Sequence, residues 1–123
     1  MTTLPGKLGV REGSRVLVTG APEGFVLDRP HDTEPDGQPY DVLLLFCPEL
    51  ADLAAGWSGS VGRLATAGGL WVAWPKRASG LPTDLSDDVV RQYALDHGLV
   101  DVKVCAVDAT WSALKMVRRK KDR

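Results

Sequence analysis

Histidine, cysteine and long apolar runs are scarce in this chain of 123 residues, and each shortage argues against a class of protein. His31 and His97 are the only histidines, and neither has a ligand partner at zinc-site spacing, so we predict no metal site. The longest apolar run, residues 42–47, is too short to cross a bilayer. Because no basic and then apolar segment opens the chain, we predict a cytoplasmic protein without a membrane partner.

Cysteine is limited to Cys47 and Cys105, each inside or at the end of an apolar run. This placement favours a pair of buried free thiols in a reducing compartment. A disulfide between the two residues is the alternative that the sequence leaves open.

An excess of positive charge is also missing, because the formal net charge is −1. The chain therefore has no global basic field that would recruit nucleic acid. The bases are nevertheless uneven, since the last six residues hold five basic side chains and one acidic side chain. We predict a single α/β domain over residues 1–118 and a basic C-terminal tail over residues 119–123. Such a tail is usually solvated, and contact with RNA or anionic lipid is the alternative.

The chain does contain apolar runs that alternate with helical patterns. The predicted strands are residues 15–19, 41–47, 70–74, 100–107 and 111–117, and the predicted helices are residues 49–66 and 86–97. Gly68-Gly69 is interpreted as the end of the first helix. Residues 41–47 and 70–74 show no alternation, which is typical of strands buried on both faces of a parallel sheet. Residues 21–40 contain four prolines and are predicted to be irregular, with one or two helical turns over 23–29.

The predicted fold class is α/β, an open and mostly parallel Rossmann-like or methyltransferase-like sheet that ends in an antiparallel β-hairpin. The order of elements is similar to the C-terminal half of class I methyltransferases, whose final hairpin strand inserts antiparallel into a parallel sheet. Residues 13–18, GSRVLV, likewise resemble the beginning of the first strand in that family.

Two longer motifs carry a second resemblance. They are PKxASGxPTDLxDDVVR at residues 75–91 and GLVDxKVCAVDxTWS at residues 98–112. Both resemble a bacterial family catalogued only as a domain of unknown function. The resemblance covers roughly residues 70–118 and implies no activity.

The loop after the first predicted strand argues against a cofactor. Methyltransferases hold S-adenosylmethionine with a glycine loop at this position and with an acid after the second strand. Here Pro22 removes a backbone donor, Glu23 adds bulk and charge, and the glycine spacing does not fit a dinucleotide site. The region that would supply the second strand is short and proline-rich. We therefore expect no cofactor, and no binding of S-adenosylmethionine.

The loops that follow parallel strands converge at one edge of the sheet, where open α/β sheets bind ligands. The candidate ligand-binding residues in these loops are Lys76, Arg77, Ser79, Thr83, Asp84, Asp108 and Trp111. Lys76 and Arg77 suit a small anionic ligand, and a helix N-terminus near Asp84 adds backbone donors. The alternative interpretation is structural, with Thr83 and Asp84 as caps, an ion pair between Lys76 and Asp108, and Trp111 in the core.

These features favour a non-catalytic, methyltransferase-like binding or interaction module. An enzyme of unknown reaction that uses the loop after residues 70–74 is one alternative, and an RNA-associated accessory protein that uses the tail is another. Right-handed crossovers place both helices on one face, so the opposite face needs other cover. We predict a homodimer that shields this face or the open edge beside residues 15–19. The competing explanation is that the N-terminal segment folds over the sheet.

Overall fold

Five strands form one mixed sheet in the computed structural model of the protein, which describes residues 3–123. The strands are β1 (Val16–Thr19), β2 (Tyr40–Phe46), β3 (Leu64–Pro75), β4 (Leu99–Ala106) and β5 (Trp111–Arg118). The α-helices are α1 (Leu4–Leu8), α2 (Leu50–Arg63) and α3 (Asp87–Asp96), and short 3-10 turns span Arg77–Ser79 and Lys120–Asp122. Within residues 3–123, no helix is long and apolar enough to cross a membrane.

The strand order across the sheet is β1-β2-β3-β5-β4. The first three strands are parallel, and β5 lies antiparallel between β3 and β4. The mixed α/β architecture, parallel at first and then antiparallel, is therefore as predicted. Because β1 to β4 all run in one direction, the loops that follow them leave the sheet on the same side. We call that side the carboxyl edge and the opposite side the amino edge.

The boundary between α2 and β3 differs from the prediction. The helix ends at Arg63, and the strand begins at Leu64, so the two glycines lie inside the strand. A Cβ on Gly68 would lie 3.0 Å from the carbonyl oxygens of both Tyr40 and Asp41. Glycine at this position thus permits close approach of two strands and does not stop a helix.

The predicted helical turns over residues 23–29 are also absent. The segment instead has a tight turn, in which the Phe25 amide donates to the Pro22 carbonyl at 3.1 Å. Leu27 is buried within this irregular segment, whereas Val26 is exposed. Phe25 and Leu27 therefore pack on the sheet without helical backbone.

Both long helices cover the same face of the sheet, as predicted. Ser86 caps α3 by accepting a hydrogen bond from the Val89 amide at 3.3 Å. The C-terminus of α2 is held by Arg118, which donates to the carbonyls of Val61 at 3.0 Å and Leu64 at 2.8 Å. A basic side chain at a helix C-terminus satisfies free carbonyls and complements the helix dipole.

The opposite face is covered by the chain's own N-terminal segment. Leu8 is 1% exposed, and its carbonyl accepts a hydrogen bond from the indole Nε1 of fully buried Trp71 at 3.0 Å. Phe25 and Leu27 complete this second apolar cluster. Cover of this face by the N-terminal segment, the competing explanation, is therefore observed for Leu4, Leu8 and Val10, while residues 1–2 lie outside the described residues.

The open edge predicted beside β1 is also occupied. The Val18 amide donates to the Asp32 carbonyl at 2.9 Å, and the Asp32 amide donates to the Val16 carbonyl at 2.8 Å. The proline-rich segment thus supplies one bridge where a further strand would lie. A homodimer is therefore not needed to cover this face or this edge. The oligomeric state itself remains a prediction.

We expect Leu8→Ala to lower the free energy of unfolding by about 2–5 kcal/mol, because it opens a cavity in a buried cluster. Leu50→Ala, the same change at a side chain that is 37% exposed, is the matched control and should cost less than about 1 kcal/mol. Urea unfolding followed by tryptophan fluorescence measures both. Equal, small effects would show that the N-terminal segment is not docked on the sheet.

Candidate functional site

The loops at the carboxyl edge are joined by hydrogen bonds. The Lys76 amide donates to the Thr110 carbonyl at 2.8 Å, which places the turn between β4 and β5 beside the loop that follows β3. The Thr83 hydroxyl donates to the Pro48 carbonyl at 2.6 Å, which connects the loop after β2 with the segment before α3. The predicted convergence of the loops after β2, β3 and β4 is therefore observed.

A cavity of about 560 Å³ opens at this edge, on the face that carries the helices. Three predicted residues, Lys76, Arg77 and Thr83, line it together with Ser86 at the start of α3. The apolar part of the wall comes from Trp74, Leu81, Leu85 and Val104. The site therefore combines a basic rim, a helix N-terminus and an apolar floor.

The basic side chains of the cavity have no carboxylate partner. None of the ion pairs formed within residues 3–123 includes Lys76 or Arg77. One acid, Asp87, lies in the wall, and its Oδ1 accepts the Asp88 amide at 2.8 Å. The wall thus carries two positive charges against one negative charge, which favours an anion.

Three predicted polar side chains, those of Ser79, Thr83 and Asp84, bind main chain. Ser79 Oγ donates to the Lys76 carbonyl at 2.6 Å, and Thr83 Oγ1 accepts the Leu85 amide at 3.1 Å. Asp84 Oδ1 accepts the amide of Leu50, the first residue of α2, at 2.7 Å. The structural alternative, in which Asp84 holds a helix end, therefore holds with one difference. Asp84 binds the start of α2, while the N-cap of α3 is Ser86.

Asp108 and Trp111 lie outside the cavity. Asp108 Oδ1 accepts the amides of Thr110 and Trp111, both at 2.8 Å, and so closes the turn between β4 and β5. No ion pair joins Asp108 to Lys76 in the described part of the chain. Trp111 is 7% exposed and packs edge-on against Phe46, with ring centroids 5.1 Å apart, on the face opposite the helices.

Sequence reasoning missed the apolar wall of the cavity. Leu81 stands alone in a polar loop and is 47% exposed, and single exposed apolar side chains are common on protein surfaces. Val104 belongs to an apolar strand, and only the strand register reveals that it points toward the cavity. No feature of the sequence therefore indicated this apolar wall.

Both cysteines are free, as predicted, but they differ in burial. Burial, with a smaller contribution from the charge of Asp52, raises the pKa of the Cys47 thiol to about 12. Burial also raises the pKa of Cys105, against the opposing charges of Lys7 and Lys103. Within residues 3–123, no three His, Cys, Asp or Glu side chains form a metal-binding group.

Comparisons with known proteins do not assign a function. No protein-family model matches the chain, and no curated protein matches it. The cavity and the side chains around it are therefore the features that bear on function.

The two thiols should react at different rates. Cys105 is partly exposed, so we expect it to react with the disulfide reagent DTNB in the native chain. Cys47 should react only after unfolding, because it is buried and its raised pKa leaves little thiolate. The rate at Cys105 should increase with pH, since its pKa is also raised and more thiolate forms as the pH rises. Cys105→Ser is the control, and a fast-reacting thiol in that variant would contradict the prediction.

Proposed function

We propose that the protein is a non-catalytic, methyltransferase-like binding module that holds a small anionic ligand in the cavity at the carboxyl edge. The observation that carries this proposal is the position of Lys76 and Arg77 in the cavity wall, where neither has a carboxylate partner. Because Leu81 and Val104 line the same cavity, the preferred ligand has an apolar body beside its anionic group.

The strand order supports the methyltransferase-like part of the proposal. An antiparallel β5 lies between β3 and β4, which is the arrangement that the resemblance implies for the end of the sheet. The strands that would extend the sheet beyond β1 are replaced by the single bridge between Leu17 and Asp32. Fold alone does not determine activity, so this support concerns architecture.

Binding is favoured over chemistry because the reactive groups near the edge are already engaged. The oxygens of Thr83, Asp84 and Asp108 hold main-chain groups in place. A nucleophile also needs a base within hydrogen-bond reach. His97, at the C-terminal end of α3, contacts the Tyr93 carbonyl through Nδ1 at 2.7 Å and stacks on the Tyr93 ring. The enzyme alternative would require these groups to leave their present partners.

The RNA alternative is weakened by the positions of Arg118, the last residue of the predicted domain, and Arg119, the first residue of the tail. Arg118 bonds carbonyls at the end of α2, and Arg119 donates to the Leu95 carbonyl of α3 at 2.8 Å. Both guanidinium groups therefore act within the fold. A nucleic-acid site in the tail would depend mainly on Lys120 and Lys121, without aromatic side chains for base stacking.

Phenyl phosphate is a suitable probe of the cavity, because its phosphate matches the basic rim and its ring matches the apolar wall. We expect amide shifts in Leu81, Ser86 and Val104 when the ¹⁵N-labelled chain is titrated. Arg77→Gln should weaken binding about tenfold, since one charge-assisted hydrogen bond contributes roughly 1.5–3 kcal/mol.

Arg29→Gln is the matched control, because Arg29 is an exposed arginine outside the cavity. It should leave the affinity for phenyl phosphate within about twofold of the unmodified chain, as expected for a distant surface charge screened by salt. Equal losses in the two variants would mean that binding reflects overall charge, and the proposed cavity site would be wrong.

S-adenosylmethionine should not bind in the micromolar range. Asp32 lies at the single bridge that stands where a second strand would lie, and its Oδ2 already accepts the Tyr40 hydroxyl. Pro22 offers no backbone donor in the loop after β1. Isothermal calorimetry tests the expectation, with phenyl phosphate as the positive control. A micromolar dissociation constant would contradict it and would favour the enzyme alternative.

A further inference from the structure

Two lysines face each other on the side of the sheet opposite the long helices. Lys103 of β4 and Lys115 of β5 are direct cross-strand partners. Like charges in this position repel and lower stability. Lys103 also extends over the Trp71 ring, with its Nζ 5.9 Å from the ring centroid. The two lysine side chains therefore lie on one face, where the repulsion between their charges lowers the stability of the fold.

Lys115 is fitted closely into this face. A Cβ on Gly69 would lie 2.5 Å from Lys115 Cε, so the lysine side chain occupies the space that a larger residue at position 69 would need. The side chain is half-buried. Burial, followed by the charges of Lys103 and Arg11, lowers the pKa of Lys115. The surroundings thus disfavour the positive charge of Lys115, and no acidic side chain among residues 3–123 forms an ion pair with it.

Two clefts meet at Lys115. The first, of about 390 Å³, is lined by Lys103, Lys115 and Arg123. The second, of about 360 Å³, is lined by Lys115, Arg11 and Ser14. Together they form a basic double cleft with Lys115 at its centre.

Negative charge in the double cleft is limited. Asp41 lines the second cleft, and its Oδ2 accepts the Arg15 amide at 2.8 Å. The ion pairs among residues 3–123 do not include Lys103, Lys115 or Arg11. The cluster therefore has an excess of uncompensated positive charge.

We propose that the double cleft binds a diphosphate group, with one phosphate between Lys103 and Lys115 and the other between Lys115 and Arg11. Lysine and arginine side chains are the usual partners of phosphate oxygens, and Ser14 adds a hydroxyl donor. A multiply charged ligand fits three neighbouring cations better than a single carboxylate does. A bound diphosphate would also remove the repulsion between the two lysines.

Titration of the ¹⁵N-labelled full-length chain with inorganic pyrophosphate at low ionic strength tests the proposal. We expect shifts at Arg11, Ser14 and Lys115, and weaker binding of inorganic phosphate than of pyrophosphate. Lys115→Gln should weaken pyrophosphate binding about tenfold or more, since it removes a shared charge-assisted contact. Lys120→Gln, the same change at an exposed tail position, should alter the affinity by less than about twofold.

Two further measurements separate a binding role from a structural one. Lys115→Gln should leave the urea midpoint of the free chain unchanged or higher, because it removes a like-charge contact. Gly69→Ala keeps every charge but moves the flexible end of Lys115, so it should also weaken pyrophosphate binding. ADP distinguishes the source of the diphosphate, since tighter binding than pyrophosphate would indicate a nucleotide and equal or weaker binding a free diphosphate.

Several results would overturn the proposal. They are the absence of pyrophosphate binding, equal losses in Lys115→Gln and Lys120→Gln, and binding of single-stranded RNA that pyrophosphate does not displace. Arg77→Gln should leave pyrophosphate binding at this cleft unchanged. Failure of this site is therefore distinguishable from failure of the cavity proposed at the carboxyl edge.

Discussion

The burial of β2 and β3 on both faces is the constraint on which the rest of the structure depends. Two helices cover one face, and nothing in the regular α/β pattern covers the other. The chain solves this with its N-terminal segment, in which Leu8 at the end of the short helix α1 lies on the sheet and accepts the indole hydrogen bond of Trp71. That bond satisfies a buried donor and fixes the path of the N-terminal segment at the same time.

Polar side chains that bind main-chain groups also hold the carboxyl edge in place. Thr83 and Asp84 connect the segment before α3 to the loop and helix that follow β2, and Asp108 closes the hairpin turn. Because these oxygens bind main chain, the loops are held in a fixed geometry. Lys76 and Arg77 lie in these loops and form no ion pair within residues 3–123, as the proposed anion site requires.

Much of this architecture could be predicted from the sequence, because apolar runs without alternation identify doubly buried strands. The start of β3 could not, since Gly68-Gly69 has the local signature of a helix end and the contact with Tyr40 that requires glycine is distant in sequence. Trp111 was predicted among the edge loops, with a place in the core as the alternative, and the structure buries it on the face opposite the helices. The sequence did not indicate a face, because only the pairing of Trp111 with Pro75 determines which way it points. The local sequence pattern therefore predicted the strands and helices. The pairing register of the strands, which that pattern does not show, determines which side chains line the site.

Register also explains why the basic double cleft gives no sequence signal. An irregularity between Asp101 and Lys103 shifts the pairing of β4, and this shift brings Lys103 opposite Lys115. The other bases show what the fold alone would favour, since Arg118 and Arg119 meet free carbonyls at the ends of α2 and α3. The charges of the lysine pair instead repel each other, and natural sequences break local rules of this kind mainly at functional or strained sites. The contrast between arginines that bind main-chain carbonyls and lysines that repel each other is therefore the physical reason to propose a site on the side of the sheet away from the helices.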